Sequence, residues 1–403
     1  MALLGNTAVV QEHSADWAEA SISPDQTVAQ KAQDRLRKAG QQGLEELEQR
    51  FSKEISAHRN GALSDERWKR ISAALDRVGA QYDNDASGLY WYTDLEEAKE
   101  AARASKRPIL SLRLLGRLNE DLSCANSRFF RTTLYPNAEV NHLLKDRFIL
   151  HWESVRPAPR VTIAFGDGRT LERTITGNSI HYILDRDGRL VDALPGLYSA
   201  PVFANELGRA ADIVEETRER RHVDYVEYQR FTRDELLSAW AADLSRIQIA
   251  LPASTTLSED NLERLMDEKT WQKLAQLHAS EVNFDGNVLK VVARKFPVAL
   301  AASRLAMTKA AVENPMLRAF SNLSQSIVMD TVRNNYLMRT KILLFLAGPA
   351  RSLTLSQIND WVYAKVFLTP REDPWLGLAP QDVFTGIDAN GESGMHVASQ
   401  IPR

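Results

Sequence analysis

The chain has 403 residues, 44% hydrophobic and 26% charged, the balance of a soluble globular protein with two or three domains of roughly 150 residues each. A formal net charge of −3 gives no electrostatic reason to expect a nucleic-acid or membrane-surface partner. A single cysteine, Cys124, excludes an intrachain disulfide and any multi-cysteine zinc or iron–sulfur site, and the eight histidines form no HxxxH or HExxH pair.

Residues 1–22 read as a frayed, disordered start. Their opening, MALLGNTAVVQEHSADW, has neither a basic n-region nor an apolar h-region, so no signal peptide is expected. No apolar run reaches the roughly 20 residues of a membrane span. A helical hairpin is expected over 23–88. Leu44, Leu47, Phe51 and Ile55 form one stripe at spacings of three and four, Asn60-Gly61 breaks it, and Trp68, Ile71, Leu75 and Val78 form the next.

The texture then changes. Leu89-Tyr-Trp-Tyr92 docks against the helices or walls a groove. Thr93 and Glu96 form a capping-box pattern that opens a helix to about residue 105, closed by Pro108. Residues 109–115 read as a buried strand, 126–134 as a helix, and Asn137 as the cap of a short helix to about 145. Strands are expected at 148–155, 180–184 and 189–194. Residues 161–165 and 170–175 flank Gly-Asp-Gly, a strong hairpin signal. Ser199 is a plausible cap for a long helix.

The rest, 221–363, reads as helix. Thr232 and Glu235 form a second capping-box pattern before Leu236, Leu237, Trp240, Leu244 and Ile247, and residues 316–345 show one long helical pattern. Asp330 and Arg333, at i and i+3, are spaced to pair. Residues 364–403 look like an extended tail. There is no P-loop, no GxGxxG and no internal repeat.

The stretches RPILSLRLLG, SCANSRFFRTTLYPNAEVNHLLKDRFILHWESV and SIHYILDRDGRLVDALPGLYSAPVFANEL resemble the thioredoxin-like superfamily over about residues 89–208. The resemblance implies a thioredoxin-like α/β domain, a central mixed sheet with flanking helices, over 89–220. The N-terminal helical hairpin and a mostly α-helical C-terminal domain would flank it. Counting back from Asn137-Ala-Glu-Val140, the first active-site cysteine of the family falls on Cys124 and the second on Ser127. The family's cis-proline position falls on Ser179. Asn126, Arg128, Arg131, Asn178 and Ser179 are the implied groove residues around the catalytic pair Cys124 and Ser127.

A cysteine at a helix N-terminus has its thiolate stabilised by the helix dipole and nearby N–H groups. With serine as the second residue, such a site attacks an external disulfide or forms an adduct with a small thiol, but cannot close its own dithiol cycle. Glu120 and Asp121 oppose the thiolate; Arg128 and Arg131 favour it. Arg113 and Arg117 flank the preceding loop and could hold an anion, while His181 and Tyr182 face opposite ways in a strand.

Three functions are compatible with these residues. The first is a monothiol thioredoxin-like protein acting at Cys124 on a small thiol or a protein disulfide. The second is a redox-inactive thioredoxin-like scaffold that binds a protein partner through its helical region. The third is an enzyme centred on Asp330 and Arg333. No cofactor, metal, nucleic acid or membrane is expected. The compartment is expected to be the cytoplasm, with export through a leader not visible here left open.

Overall fold

The computed structural model describes residues 16–61, 64–174, 177–217, 220, 224–252, 255–282, 284–295 and 315–373. In chain order the strands are β1 (Trp91–Tyr92), β2 (Ile109–Leu115), β3 (Ile149–Arg156), β4 (Arg160–Ala164), β5 (Thr170–Thr174), β6 (Ser179–Leu184) and β7 (Leu190–Pro195). Five of them form one sheet in the order β1-β3-β2-β6-β7, and among the described residues β4 and β5 pair only with each other. β2 lies parallel to β3 and antiparallel to β6, so the sheet changes sense at its centre. β2 is buried at every position, which is why it reads as a continuous apolar run and not as an alternation. The helices Leu95–Ser105 and Ala138–Arg147 pack against β3, and Ala200–Thr217 packs against β7. The protein is therefore mixed α/β, with far more helix than the sheet alone requires.

The chain forms two compact units that divide between Gly348 and Pro349. In the first, order begins earlier than the expected frayed start allows. Trp17–Ala20 is already helical, capped by Asp16, and Ala18 and Ile22 are buried. The expected hairpin is a larger set of helices: Gln26–Lys38, Gln41–Arg50, Ser52–Arg59, Glu66–Gly79 and Asn84–Ser87. The apolar stripes are buried as their spacing requires, but the first is cut at Phe51, which ends one helix and begins the next. Gly43 permits a close backbone approach: a Cβ there would stand 2.0 Å from the Leu36 carbonyl oxygen.

The turn after Glu66–Gly79 ties these helices to the sheet. The Trp152 indole N–H donates to the Ala80 carbonyl at 2.8 Å, Trp91 Nε1 to Gln81 Oε1 at 2.9 Å, and the Tyr82 N–H to the Leu118 carbonyl at 3.0 Å. Tyr90 donates its hydroxyl to the Arg37 carbonyl, and the Arg37 guanidinium covers the Tyr90 ring. The aromatic stretch before the first sheet helix therefore docks; it does not line a groove.

Two caps differ from expectation. Asp94, not Thr93, caps Leu95–Ser105 by accepting from the Glu97 N–H. Thr232 caps nothing. The helix Val226–Arg246 starts six residues before it, and Thr232 is buried inside that helix. Asn137 does cap Ala138–Arg147, through the Val140 N–H. Ser199 precedes its helix, and its N–H donates to Thr331 Oγ1.

The long C-terminal pattern is helical over Pro315–Arg333, widens to a π-helical turn over Asn334–Arg339, and resumes over Thr340–Leu346. Arg339 ends that turn and is 0% exposed. Its Nη2 meets Asp192 Oδ2 of β7 at 2.6 Å, its Nε meets Oδ1 at 3.3 Å, and its Nη1 lies 2.9 Å from Glu206. Tyr228 donates its hydroxyl to the same Asp192 at 2.9 Å. Burial alone would lower the Arg339 pKa; Asp192 and Glu206 outweigh burial and hold it well above its ordinary value. Around this anchor, Trp240 stacks between Trp271 and Tyr336 in the core of the helical layer.

The second unit holds the helix Leu355–Trp361, opened by a reciprocal capping box between Thr354 and Gln357. A π-helical turn over Val362–Val366 runs into the start of the expected extended tail. The rest of that tail, from residue 374, lies outside the described residues. Among the described residues, no helix is long and apolar enough to cross a membrane.

Removing one partner of a buried ion pair strands the other charge. Asp192→Ala is therefore expected to destabilise the fold by about 3–5 kcal/mol in urea unfolding, while truncating the exposed Lys69–Glu66 pair changes little.

Candidate functional site

Cys124 stands where β2 has ended and a helix begins. It is the N-cap of the short helix Ala125–Phe129, and its own N–H donates to the Leu115 carbonyl at the end of β2. The helix widens at once into a π-helical turn, Phe130–Leu134. Cys124 is 0% exposed. Burial pushes its thiol pKa up; the Ser127 backbone and hydroxyl, then the Leu115 and Asn126 backbones, pull the other way and do not overcome it.

The implied partners lie close by, but as structural ties. The Ser127 hydroxyl sits 2.5 Å from Ser123 Oγ and 2.8 Å from the Cys124 carbonyl. Asn126 Nδ2 donates to Ser179 Oγ at 2.9 Å, joining the helix start to the start of β6, and both residues are buried. Gly177 closes this junction, since a Cβ there would lie 2.4 Å from Asn126 Oδ1. Thr174 donates its hydroxyl to the Ser123 carbonyl at 2.9 Å. Asn178 is half-buried beside this junction, and half-buried Arg128 offers its carbonyl to Thr132.

Arg131 does not face an open groove. It is buried, with Nη2 on the Asp121 carbonyl and Ser123 Oγ, Nη1 3.5 Å from Asp83, and its plane over the Tyr82 ring. It therefore clamps the loop that carries Cys124 to the turn after Gly79. Behind the thiol, Tyr135 donates to or accepts from His181 Nε2 at 2.8 Å, and the His181 ring packs edge-on against Phe130 and Phe203. Burial lowers the His181 pKa to about 3, so the ring is neutral. The chain places Cys124, Ser127, Asn126 and Ser179 together, but as a closed junction between β2, β6 and the intervening helix.

The other candidates are committed elsewhere. Arg113 is buried in a pair with Glu153, and Arg117 lies over Trp152 and pairs with Glu120. Asp330 and Arg333 do not form the contact ion pair their spacing suggested, although the Arg333 charge still draws the Asp330 pKa down. Arg333 reaches Glu268 and covers Trp271, while burial raises Asp330 to about 6. Among the described residues, no group of three or more His, Cys, Asp and Glu is placed to hold a metal ion.

One cluster escaped sequence reasoning. A cleft of about 320 Å³ is lined by Glu206, His278, Glu281, Asn335 and Tyr336, among others. In its wall, His278 bridges Asp243 at 2.6 Å and Glu281 at 2.7 Å, and Tyr336 donates to the same Asp243 oxygen at 2.7 Å. Both ring nitrogens are thus hydrogen-bonded to carboxylates, so the ring bridges Asp243 and Glu281. Only a lone charged residue in an apolar helix hinted at such partners. Glu281, then Asp243, raise the His278 pKa to about 8 against the effect of burial.

A raised histidine pKa contributes stability fully below the unfolded value of about 6.5, and that contribution is lost as pH rises through the folded value. The melting temperature of the native chain should therefore exceed that of His278→Gln by more at about pH 6 than at about pH 9. An equal gap at both would remove the charge from this account. Comparison of the chain with family models, with curated proteins and with solved structures finds no match.

Proposed function

We propose that about residues 89–208 form a thioredoxin-like module whose thiol takes no part in redox chemistry, and that the chain works as a scaffold for binding another protein. The observation that carries this reading is Cys124 itself: it occupies the helix-capping position of a nucleophile, yet is 0% exposed with its pKa raised by burial. The thiolate is the reactive species, and a buried thiol with a raised pKa stays protonated and shielded at neutral pH.

The module assignment is supported by the order of elements. β2 leads into the Cys124-capped helix, Asn137 caps the next helix, β3 follows, and β6 and β7 form the strand–turn–strand before the long helix Ala200–Thr217. The scaffold reading also accounts for the helical layer, which is fastened to β7 by buried ions and in which Arg333 is paired with Glu268. A single thiol without a disulfide suits a reducing compartment, the cytoplasm.

A monothiol reaction with external disulfides is the second reading, and one feature favours it: Ser127 acts on Cys124 in the direction of a lower pKa. The rate of iodoacetamide labelling of the native protein against pH separates the two. The scaffold reading predicts little labelling until the chain unfolds, and a folded Cys124→Ala variant that loses less than about 2 kcal/mol. Fast native labelling with a midpoint below the free-cysteine value of about 8.5 would establish the thiol reading instead.

A further inference from the structure

The β4–β5 hairpin stands apart from the five-stranded sheet, and every residue of β4 is exposed. Residues paired directly across two strands lie on the same face. The pairs Val161↔Arg173 and Ile163↔Leu171, with Phe165 beside Arg169 at the turn, therefore form one face. The opposite face carries Thr162, Ala164, Thr170 and Glu172, and its root is tied to the body by Thr174 and Ser123.

The polarity is reversed from what a packed hairpin shows. Val161, Ile163 and Phe165 are 38%, 47% and 54% exposed, and they alternate along a single strand, so they form a stripe and not scattered surface residues. The cations on this face sit at its rim. Arg169 covers Phe165 and pairs with Asp167 at 2.7 Å, and Arg173 donates to the Glu172 carbonyl, so among the described residues Arg173 is the rim cation that faces outward without a carboxylate of the turn. Across 156–174 the arm carries Arg156, Arg160, Arg169 and Arg173 against Asp167 and Glu172, a basic surplus in a chain whose net charge is −3.

We propose that this face is a docking surface for an extended, acidic segment of a partner protein in which apolar and acidic residues alternate. The inference rests on the scaffold reading and names the surface that reading requires. Alternation of the apolar side chains at a two-residue period matches an extended partner. The sign of the rim selects the charge: with Arg169 already paired to Asp167, a second copy of the same face would bring Arg173 against its own kind, while an acidic segment meets it with opposite charge. Among the described residues β4 and β5 have only each other as ladder partners, so main-chain pairing along an outer edge can align the segment.

The full chain, immobilised, can be panned with a random-peptide library, and a labelled synthetic copy of the recovered consensus titrated by fluorescence anisotropy. The expected consensus alternates apolar and acidic residues. Its affinity should fall about tenfold or more in Ile163→Ser, which removes the apolar contact, and in Arg173→Glu, which reverses the rim charge. Both positions are exposed, so unchanged far-UV circular dichroism and melting will show that the fold is intact.

The proposal is overturned if no peptide is recovered, if the consensus lacks acidic residues, or if both variants bind it as the native chain does. It is also overturned if sedimentation velocity shows a self-association that Ile163→Ser abolishes, because the occupant is then a second copy. Labelling of Cys124 remains a separate test: a reactive native thiol would remove the scaffold reading whatever the hairpin binds.

Discussion

The fold depends on one buried guanidinium. Arg339 lies with Asp192 and Glu206 where β7 meets the C-terminal helices, out of contact with water. Moving such charges out of water is expensive, and their attraction repays it only when the fork of the guanidinium is met on both sides. Here two nitrogens meet Asp192, the third reaches Glu206 and Asn335, and Tyr228 takes the remaining reach of Asp192. An apolar contact could slide by a residue, whereas this one has a single register. Asn334 on the Leu197 carbonyl and Gln229 on the β7 carbonyls of Leu190 and Val191 follow from that register.

On the other side of the sheet the constraint is made of backbone. The turn after Gly79 presents carbonyls and N–H groups to Trp152 and Leu118, and its Asp83 receives the buried Arg131. Arg131 in turn holds the Asp121 and Ser123 ends of the loop before Cys124. The thiol is thereby closed in by the same contacts that hold the N-terminal helices in place. Opening it would mean breaking a charged clamp, and this links the burial of the cysteine to the architecture and not to the absence of a second cysteine.

Much of the sheet was legible because its signals are local. The apolar run of β2, the Gly-Asp-Gly hairpin, the Asn137 cap and the paired stripes of the N-terminal helices each declare themselves within a few residues. Thr93 and Asp94 are both able caps, and a choice between neighbours is finer than local pattern resolves. Thr232 misled because a capping pattern can sit inside a longer helix whose start, at Tyr225, has no side-chain cap. The buried clusters were illegible for a different reason. Arg339 and Asp192 are 147 residues apart, and Tyr336 and Asp243 are 93 apart. What the sequence does show is a charge inside an apolar strand or helix, Asp192 in LVDALP and Arg339 in a long helical run, and such a charge signals a distant partner without naming it. The position of Cys124 was readable from its motif, but its burial follows from Arg131, Tyr135 and His181, which only the fold brings near.

The sheet and the helices up to Gly348 form one compact unit, fastened by Arg339 and closed over Cys124. Scanning calorimetry of the full chain tests it most directly. The sheet and the helices up to Gly348 are expected to unfold in one transition, with matching calorimetric and van't Hoff enthalpies, and Asp192→Ala is expected to split or lower it. Two independent transitions in the native chain, one for the sheet and one for the helical layer, would contradict it.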